Sequence, residues 1–427
     1  MTEICENCKP EFDKLLKKNQ ELEKRIEKLE KFLHAYENAH TPPSRLIFRP
    51  QKQNNDANKP RGRSEGHEGT TRAYKKPDRT LEKKKKKCDC GKKLKLLYSE
   101  SMIIEEIPKP QPIIVTEFII NHYECSEHGQ IVVKHEDCPE SGRFGNNVLA
   151  QTSLMRFEQR LPLRKVHEAL ERFYEIEISP ASIMDMTNRV SNALTPEYQE
   201  LLGKIKKSDK VYADETGIRV DGKKYWIWTF TSDDAVLYVI HKSRGKKVVE
   251  EILGKDYQGV VVRDGFKAYD KYGIATQRCW AHILREAKSI SDHCKESERF
   301  YENLCNLFDN TKIKLLKVKN KPLLKKRSED ALMDIISKHY ACKRIKTLAK
   351  KIHNGFDDWF TFVIYDVEPT NNIAERSLRE LVVIRKIIGG LRSVKSTKTY
   401  EIFMSCLATW KQNGADVMTN LLNALRS

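Results

Sequence analysis

The chain has 427 residues, a formal charge of +18 and a pI of about 9.2, with 39% apolar and 32% charged residues. That length excludes one compact core in favour of two to four domains, and the positive excess points to a polyanionic partner. No stretch reaches the roughly eighteen consecutive apolar residues of a membrane span, and the N-terminus has no signal-peptide core, so a soluble, cytoplasmic protein with no membrane partner is expected. In a reducing compartment its 11 Cys read as metal ligands or buried thiols, not as a disulfide framework.

From residue 10 to 37 the apolar positions follow a heptad, with Phe12, Asn19, Ile26 and Leu33 at a and Leu15, Leu22, Leu29 and Tyr36 at d. The polar Asn19 at a, and Lys18 and Arg25 at g facing Glu23 and Glu30 at e, suit a parallel homodimeric coiled coil; a lone amphipathic helix is the alternative. Residues 38–80 are rich in Pro, Gly, Asn and basic side chains without apolar period, which reads as a flexible basic arm. Between Thr41 and Glu100 there are 18 Lys or Arg against 7 Asp or Glu, and Lys312–Arg327 adds eight basic residues with no acid. Two such runs favour nucleic acid over a merely solvated surface.

Residues 81–140 hold Cys88 and Cys90 in "CDC" and, further on, Cys125 and His128 in "CSEH". Two close pairs of thiolate and imidazole donors suit tetrahedral Zn2+ in a small β module, with "PIIVTEFII" at 112–120 as one of its strands. Residues 141–205 carry a helical period, a break, and then Ser179-Pro180, an N-cap followed by Pro at the first helical position. Two helices across a short turn resemble a helix-turn-helix, a pattern that plain packed helices share.

The stretch 206–291 opens with "VYADETGIRVDGKKYWIWTF", two strands about an Asp221-Gly222 turn, and "AVLYVI" continues an antiparallel meander. Alternation sends Asp214 and Glu215 to opposite faces, so only one of them can serve a given site. After a helix in "RGKKVVEEILG", the β-branched run "GVVVRD" reads as a buried strand ending at Asp264, the place where open α/β sheets put functional residues. Cys279 and His282 lie three apart on the next helix, and together with His293 and Cys294 they form a second candidate zinc set. Residues 292–366 are helical and basic. The segment 367–427 contains "NNIAERSLRELVVIRK", in which Glu375 either closes a capping box from Asn372 or, sharing a face with Asn371 and Arg379, approaches the sheet.

Taken together, the zipper, the "PPSR" and "RGRSEGHEG" arm, the cysteine cluster, "ADETG", "VVVRDGFKAYD", "CWAH" and "NNIAER" resemble the DDE transposases of the IS66 family across almost the whole chain. The resemblance implies an α/β, ribonuclease-H-like catalytic core at 206–291 and 367–427, interrupted by the 292–366 insertion. It implies a catalytic triad of Asp214, Asp264 and Glu375 holding Mg2+ or Mn2+, with Asp214 shared between two ions. By the same token His282 lies near the scissile phosphate, and Arg376, Arg379, Arg385 and Lys386 support the acids or bind DNA. The implied partners are the element's terminal inverted repeats, target DNA, further copies of the chain and accessory proteins of the same element, all at the nucleoid. Where the family has a C-x-x-C pair this chain has Cys125 and His128, which bears on zinc and not on catalysis. Two other readings are a decayed, dimeric, zinc-containing DNA-binding regulator and a nuclease without strand transfer; the intact acids and the coiled coil, respectively, argue against them.

Overall fold

The computed structural model describes residues 18–19, 21–23, 76–87, 89–105, 113–139 and 141–426. The chain forms two compact units, residues 1–110 and 111–427. In the first, the five described residues of the heptad segment are helical and exposed; the rest of the coiled coil, the arm up to residue 75, and Cys88 lie outside the described residues. Around Cys90 the backbone doubles back through Gly91 at φ 87°, and Lys87 bridges Lys93.

The second unit begins with an antiparallel hairpin of β1 (Asn121–Cys125) and β2 (Gly129–Val133), turning at Gly129 with φ 72°. The strand expected over 112–120 is not formed: 113–120 pair with no strand among the described residues, and pairing starts at Asn121, where β2 supplies a partner. Four helices follow, α1 (Asn146–Phe157), α2 (Leu163–Tyr174), α3 (Pro180–Ala193) and α4 (Thr195–Lys207). The side chain of Ser179 caps α3 by accepting from the Ser182 N–H at 3.2 Å, with Pro180 opening the helix. On α3 the charged residues are Asp185 and Arg189, and Arg189 donates to the Ser141 carbonyl.

The central sheet is built from β3 (Lys210–Val220), β4 (Lys223–Thr231), β5 (Val236–His241), β6 (Val260–Arg263) and β7 (Ala275–Arg278), in the order β5-β4-β3-β6-β7. The first three are an antiparallel meander, and β6 and β7 run parallel to β3. Asp221 and Gly222 sit at φ 49° and 70°, the two left-handed positions of a type I′ turn, which locks Val220 opposite Lys223. Helix α5 (Lys246–Leu253) crosses from β5 to β6, the long connection that parallel pairing requires.

The edge strand β5 does not face water. Helix α12 (Val394–Gln412) lies along it, and Glu401, Ser405 and Thr409, one helical turn apart, accept from the backbone N–H of Ile240, Tyr238 and Val236 at 2.8, 2.9 and 2.9 Å. A row of side-chain acceptors thus replaces the missing neighbouring strand. Between β7 and the late helix α11 (Asn372–Ile388) come α6 (Trp280–Ser291), α7 (Lys295–Leu315), α8 (Lys321–Ile336), α9 (Lys343–His353) and the short α10 (Thr361–Ile364). These helices enclose their own core of Trp280, Phe300, Leu304, Leu332, Ile345 and Phe360. Helix α13 (Val417–Arg426) closes the chain against α1 and α3.

Candidate active site

Strand register brings the first two acids together. Lys210, Val211 and Tyr212 pair with Val260, Val261 and Val262, so the same offset carried two residues past the last pair sets Asp214 level with Asp264. Neighbouring strands lie about 4.8 Å apart, which makes these two carboxylates neighbours at the point where β6 ends. Tyr212 and Val262 pack on Ala374 of α11 in a small apolar cluster. Side chains two residues on in a strand share a face, so Asp214 and Asp264 emerge on the side of the sheet that carries Ala374 and its neighbour Glu375.

The electrostatics agree with that placement. Burial pushes the Asp214 carboxyl well above the usual carboxylate range, and the charges of Glu215, Asp264 and Glu375 push it further. Oε1 of Glu375 is buried without a hydrogen-bond partner. The capping box is not formed: the N-cap is Asn371, without a side-chain cap bond, and Glu375 reaches instead toward His282, whose Nε2 lies 3.6 Å from its Oε1, with Arg285 at 3.9 Å. Three carboxylates, one with an unsatisfied buried oxygen, are donors of the hard-oxygen type that Mg2+ or Mn2+ prefers, although their oxygens do not all lie within 4.8 Å of one another as one ion's ligand set would.

Glu215 belongs to the opposite face. Its buried carboxylate accepts from Arg244 at 2.5 and 2.9 Å and from the Tyr269 hydroxyl at 2.8 Å. Burial and the nearby Asp264 raise its pKa to about 7 against the pull of Arg244 and Tyr269. Arg244 is held between the rings of Trp226 and Phe266, 4.5 and 3.9 Å from their centroids. Neither Arg244 nor Tyr269 stands out in the sequence, because the register that brings them to Glu215 is tertiary.

A circuit of hydrogen bonds fixes the three acid-bearing elements to one another. The Cys279 N–H donates to the carbonyl of Arg263, the residue before Asp264, at 2.9 Å. Cys279 Sγ accepts from the Asn371 N–H at 3.1 Å. Asn371 Nδ2 donates to the carbonyl of Ala213, the residue before Asp214, at 2.8 Å, and the Asn371 carbonyl accepts from the Glu375 N–H at 3.1 Å. Cys279 and Asn371 are therefore the joints of the site. The sequence signal for Asn371 is its place four residues before Glu375, on the face it shares with Glu375 and Arg379.

The remaining candidates are distributed as follows. The donor beside Cys279 and His282 is Glu375, not His293 or Cys294: among the described residues these three alone form a metal-sized group of His, Cys and acids. His293 instead bonds Arg344, and Cys294 Sγ lies 3.1 Å from Ser297 Oγ. Arg376, Arg379 and Lys386 are exposed along α11, whereas Arg385 donates to Thr216 Oγ1 at 3.0 Å and to the Gly217 carbonyl, tying α11 to β3. In the small hairpin, Cys125 Sγ lies 3.4 Å from His128 Nδ1, and the backbone N–H groups of Glu127 and His128 lower the Cys125 pKa. Cys90 is an exposed free thiol in the other unit.

The fold and site define an α/β protein in which strand β6 ends just before Asp264, beside Asp214 in the interior of the adjoining parallel strand β3, with a third carboxylate, Glu375, on a helix over that face. Residues 141–399 match the family described as "Transposase IS66 family", and the chain belongs to that family. It is also 26% identical over 337 residues to "Uncharacterized protein y4jD" of Sinorhizobium fredii (strain NBRC 101917 / NGR234), over 67% of this chain and 64% of that protein's length. No described helix is long and apolar enough to cross a membrane.

Proposed function

We propose that this protein is a transposase that binds the terminal inverted repeats of its own insertion sequence and cuts and joins DNA through a ribonuclease-H-like core. The observation that carries this reading is the convergence of Asp214 and Asp264, level on adjacent strands, with Glu375, whose charge acts on Asp214 and whose Oε1 has no hydrogen-bond partner. Asp214, Asp264 and Glu375 would hold divalent ions that, when bound, would supply activation of the attacking water or 3′-hydroxyl and stabilisation of the leaving oxygen. Asn371 and Cys279 hold these acids in register, and the exposed Arg376, Arg379 and Lys386 beside them bind DNA phosphates, which position a substrate without reading its sequence. The dimeric coiled coil, the zinc module of Cys88, Cys90, Cys125 and His128, and the basic arm are the proposed means of pairing and gripping DNA ends.

The test is incubation of purified protein with DNA carrying the element's ends and Mg2+ or Mn2+, comparing wild type with Asp214→Asn, Asp264→Asn and Glu375→Gln. Nicking or joining that all three substitutions abolish is expected. Cutting without joining points to the nuclease, and tight binding with no metal-dependent cutting points to the regulator.

A further inference from the structure

Beside the carboxylate cluster lies a second donor set of different chemistry. Cys279 caps the N-terminus of α6, and His282 sits one helical turn on, on the same face. Glu375 meets them from α11, so that Cys279 Sγ, a His282 ring nitrogen and a Glu375 oxygen all lie within 4.8 Å of one another. Cys279 is 2% exposed, and the side chains of His282 and Glu375 are 17% and 31% exposed. The pocket is thus dry at the sulfur and reachable from the carboxylate side.

We propose that Cys279, His282 and Glu375 form a binding site for a borderline divalent cation of the zinc class, separate in its selectivity from the hard-cation site of the neighbouring acids. Two features support it. A sulfur and an imidazole nitrogen prefer Zn2+ or Co2+ over Mg2+, whose ligands are oxygens. The Glu375 Oε1 is buried and has no hydrogen-bond partner, with His282 Nε2 at 3.6 Å and the Arg285 guanidinium at 3.9 Å both beyond hydrogen-bond distance. Burial raises the Cys279 pKa and favours the thiol, while the Asn371 N–H at 3.1 Å from Sγ pulls the other way, so a bound cation has a proton to displace there. On binding, the Cys279 thiol gives up its proton to solvent and the Sγ lone pair goes to the cation. Three protein donors leave a fourth position of a tetrahedral ion for water or substrate, the pattern of an open site. Through Glu375 such an ion would also tie α6 to α11. The site stands whether or not Glu375 serves in DNA cleavage.

The probe is Co2+ titrated into the purified full-length protein, read by its thiolate charge-transfer absorbance and visible d–d bands, with Zn2+ and Mg2+ as competitors. Because Cys125 and the other N-terminal thiols also bind Co2+ if the zinc module forms, the signal is compared among wild type, Cys125→Ser, Cys279→Ser and His282→Ala. Cys279→Ser should lose one equivalent of Co2+ with its charge-transfer band, while Ser keeps an acceptor for the Asn371 N–H and the fold. His282→Ala should weaken that equivalent by about tenfold or more. Cys125→Ser should retain it, Zn2+ should displace it, and Mg2+ should not. An unchanged signal in Cys279→Ser, or none surviving in Cys125→Ser, would overturn the site and leave His282 and Glu375 as a plain ion pair. Asp214→Asn separates the two ideas: it should keep this Co2+ equivalent while losing cleavage, and retained cleavage would refute the catalytic reading alone.

Discussion

Asn371 offers the sharpest test of how the site is held. Its side chain is fully buried, its Nδ2 holds the Ala213 carbonyl at 2.8 Å, and its Oδ1 has no hydrogen-bond partner. Asn371→Ala removes one buried hydrogen bond, worth about 0.5–1.5 kcal/mol net, and leaves the Ala213 carbonyl less well satisfied. It also removes the desolvated Oδ1, which offsets part of that loss. The fold should therefore survive with a deficit of about 1–2 kcal/mol, small beside a typical total of about 5–15 kcal/mol. Activity should fall much further, because Asp214 would no longer be tied to α11, and a displacement of about 1 Å in such a constellation costs about 100-fold. Asn371→Asp discriminates between filling space and positioning. It keeps the volume but turns a donor into an acceptor facing a carbonyl, so it should cleave no better than Asn371→Ala. Cleavage of transposon-end DNA measured beside urea unfolding would decide: if Asn371→Ala cuts within about threefold of wild type, or if Asp restores activity, the positioning role is wrong.

Other consequences are equally measurable. Ser405→Ala leaves the Tyr238 N–H on the edge strand without its acceptor, and should cost about 1–3 kcal/mol in urea unfolding. Glu401 has its pKa raised above 4.5, chiefly by burial, so its contribution to stability is full below that value and is lost as pH rises through the higher folded pKa. Glu401→Gln can still accept from Ile240, and should be more stable than wild type near neutral pH, with the gap closing toward pH 4.5 in thermal melts. Asp214→Asn relieves like-charge repulsion and should raise the melting temperature without metal. Mg2+ should raise that of wild type, through a stabilisation of about 2.7 kcal/mol at a hundredfold excess over Kd, and barely move the variant. A wild-type melting curve indifferent to Mg2+ and Mn2+ would count against the carboxylates as a metal site.

The parts of the fold that could be read from the sequence are those fixed within a few residues. Asp221-Gly222 demands two left-handed positions, and Ser179-Pro180 supplies a cap and a preset φ; both appear where the residues put them. Relations across the chain came from the family resemblance, which grouped Asp214, Asp264 and Glu375, and not from local pattern. The fifty-residue offset that levels Asp214 with Asp264 is a parallel register, set by packing and by no local code. Glu401, Ser405 and Thr409 look like stray polar residues in the apolar run "EIFMSCLATW" until the edge of β5 is laid beside them. The strand expected over 112–120 is missing at 113–120 for the converse reason: the β-branched residues there carry propensity, but among the described residues they find no paired strand, and propensity alone does not make a sheet.

The carboxylates themselves explain why so many uncharged groups surround them. Burial raises the pKa of Asp214, and the charges of Glu215, Asp264 and Glu375 add to it, so these acids repel one another across the site. Left to side-chain packing, such acids would splay toward water. They are held instead from behind, by bonds to the backbone one residue before Asp214 and Asp264 and at Glu375 itself, none of which involves a carboxylate oxygen. One oxygen of each aspartate is also engaged, Asp214 Oδ1 by the Glu215 N–H at 2.9 Å and Asp264 Oδ1 by the Phe266 N–H at 2.7 Å, which leaves the second oxygen of each for ligands while the Cys279–Asn371 pair holds the elements together. It follows that Asp264→Asn and Glu375→Gln should leave the backbone circuit intact, whereas Asn371→Ala should disturb it with every acid still present.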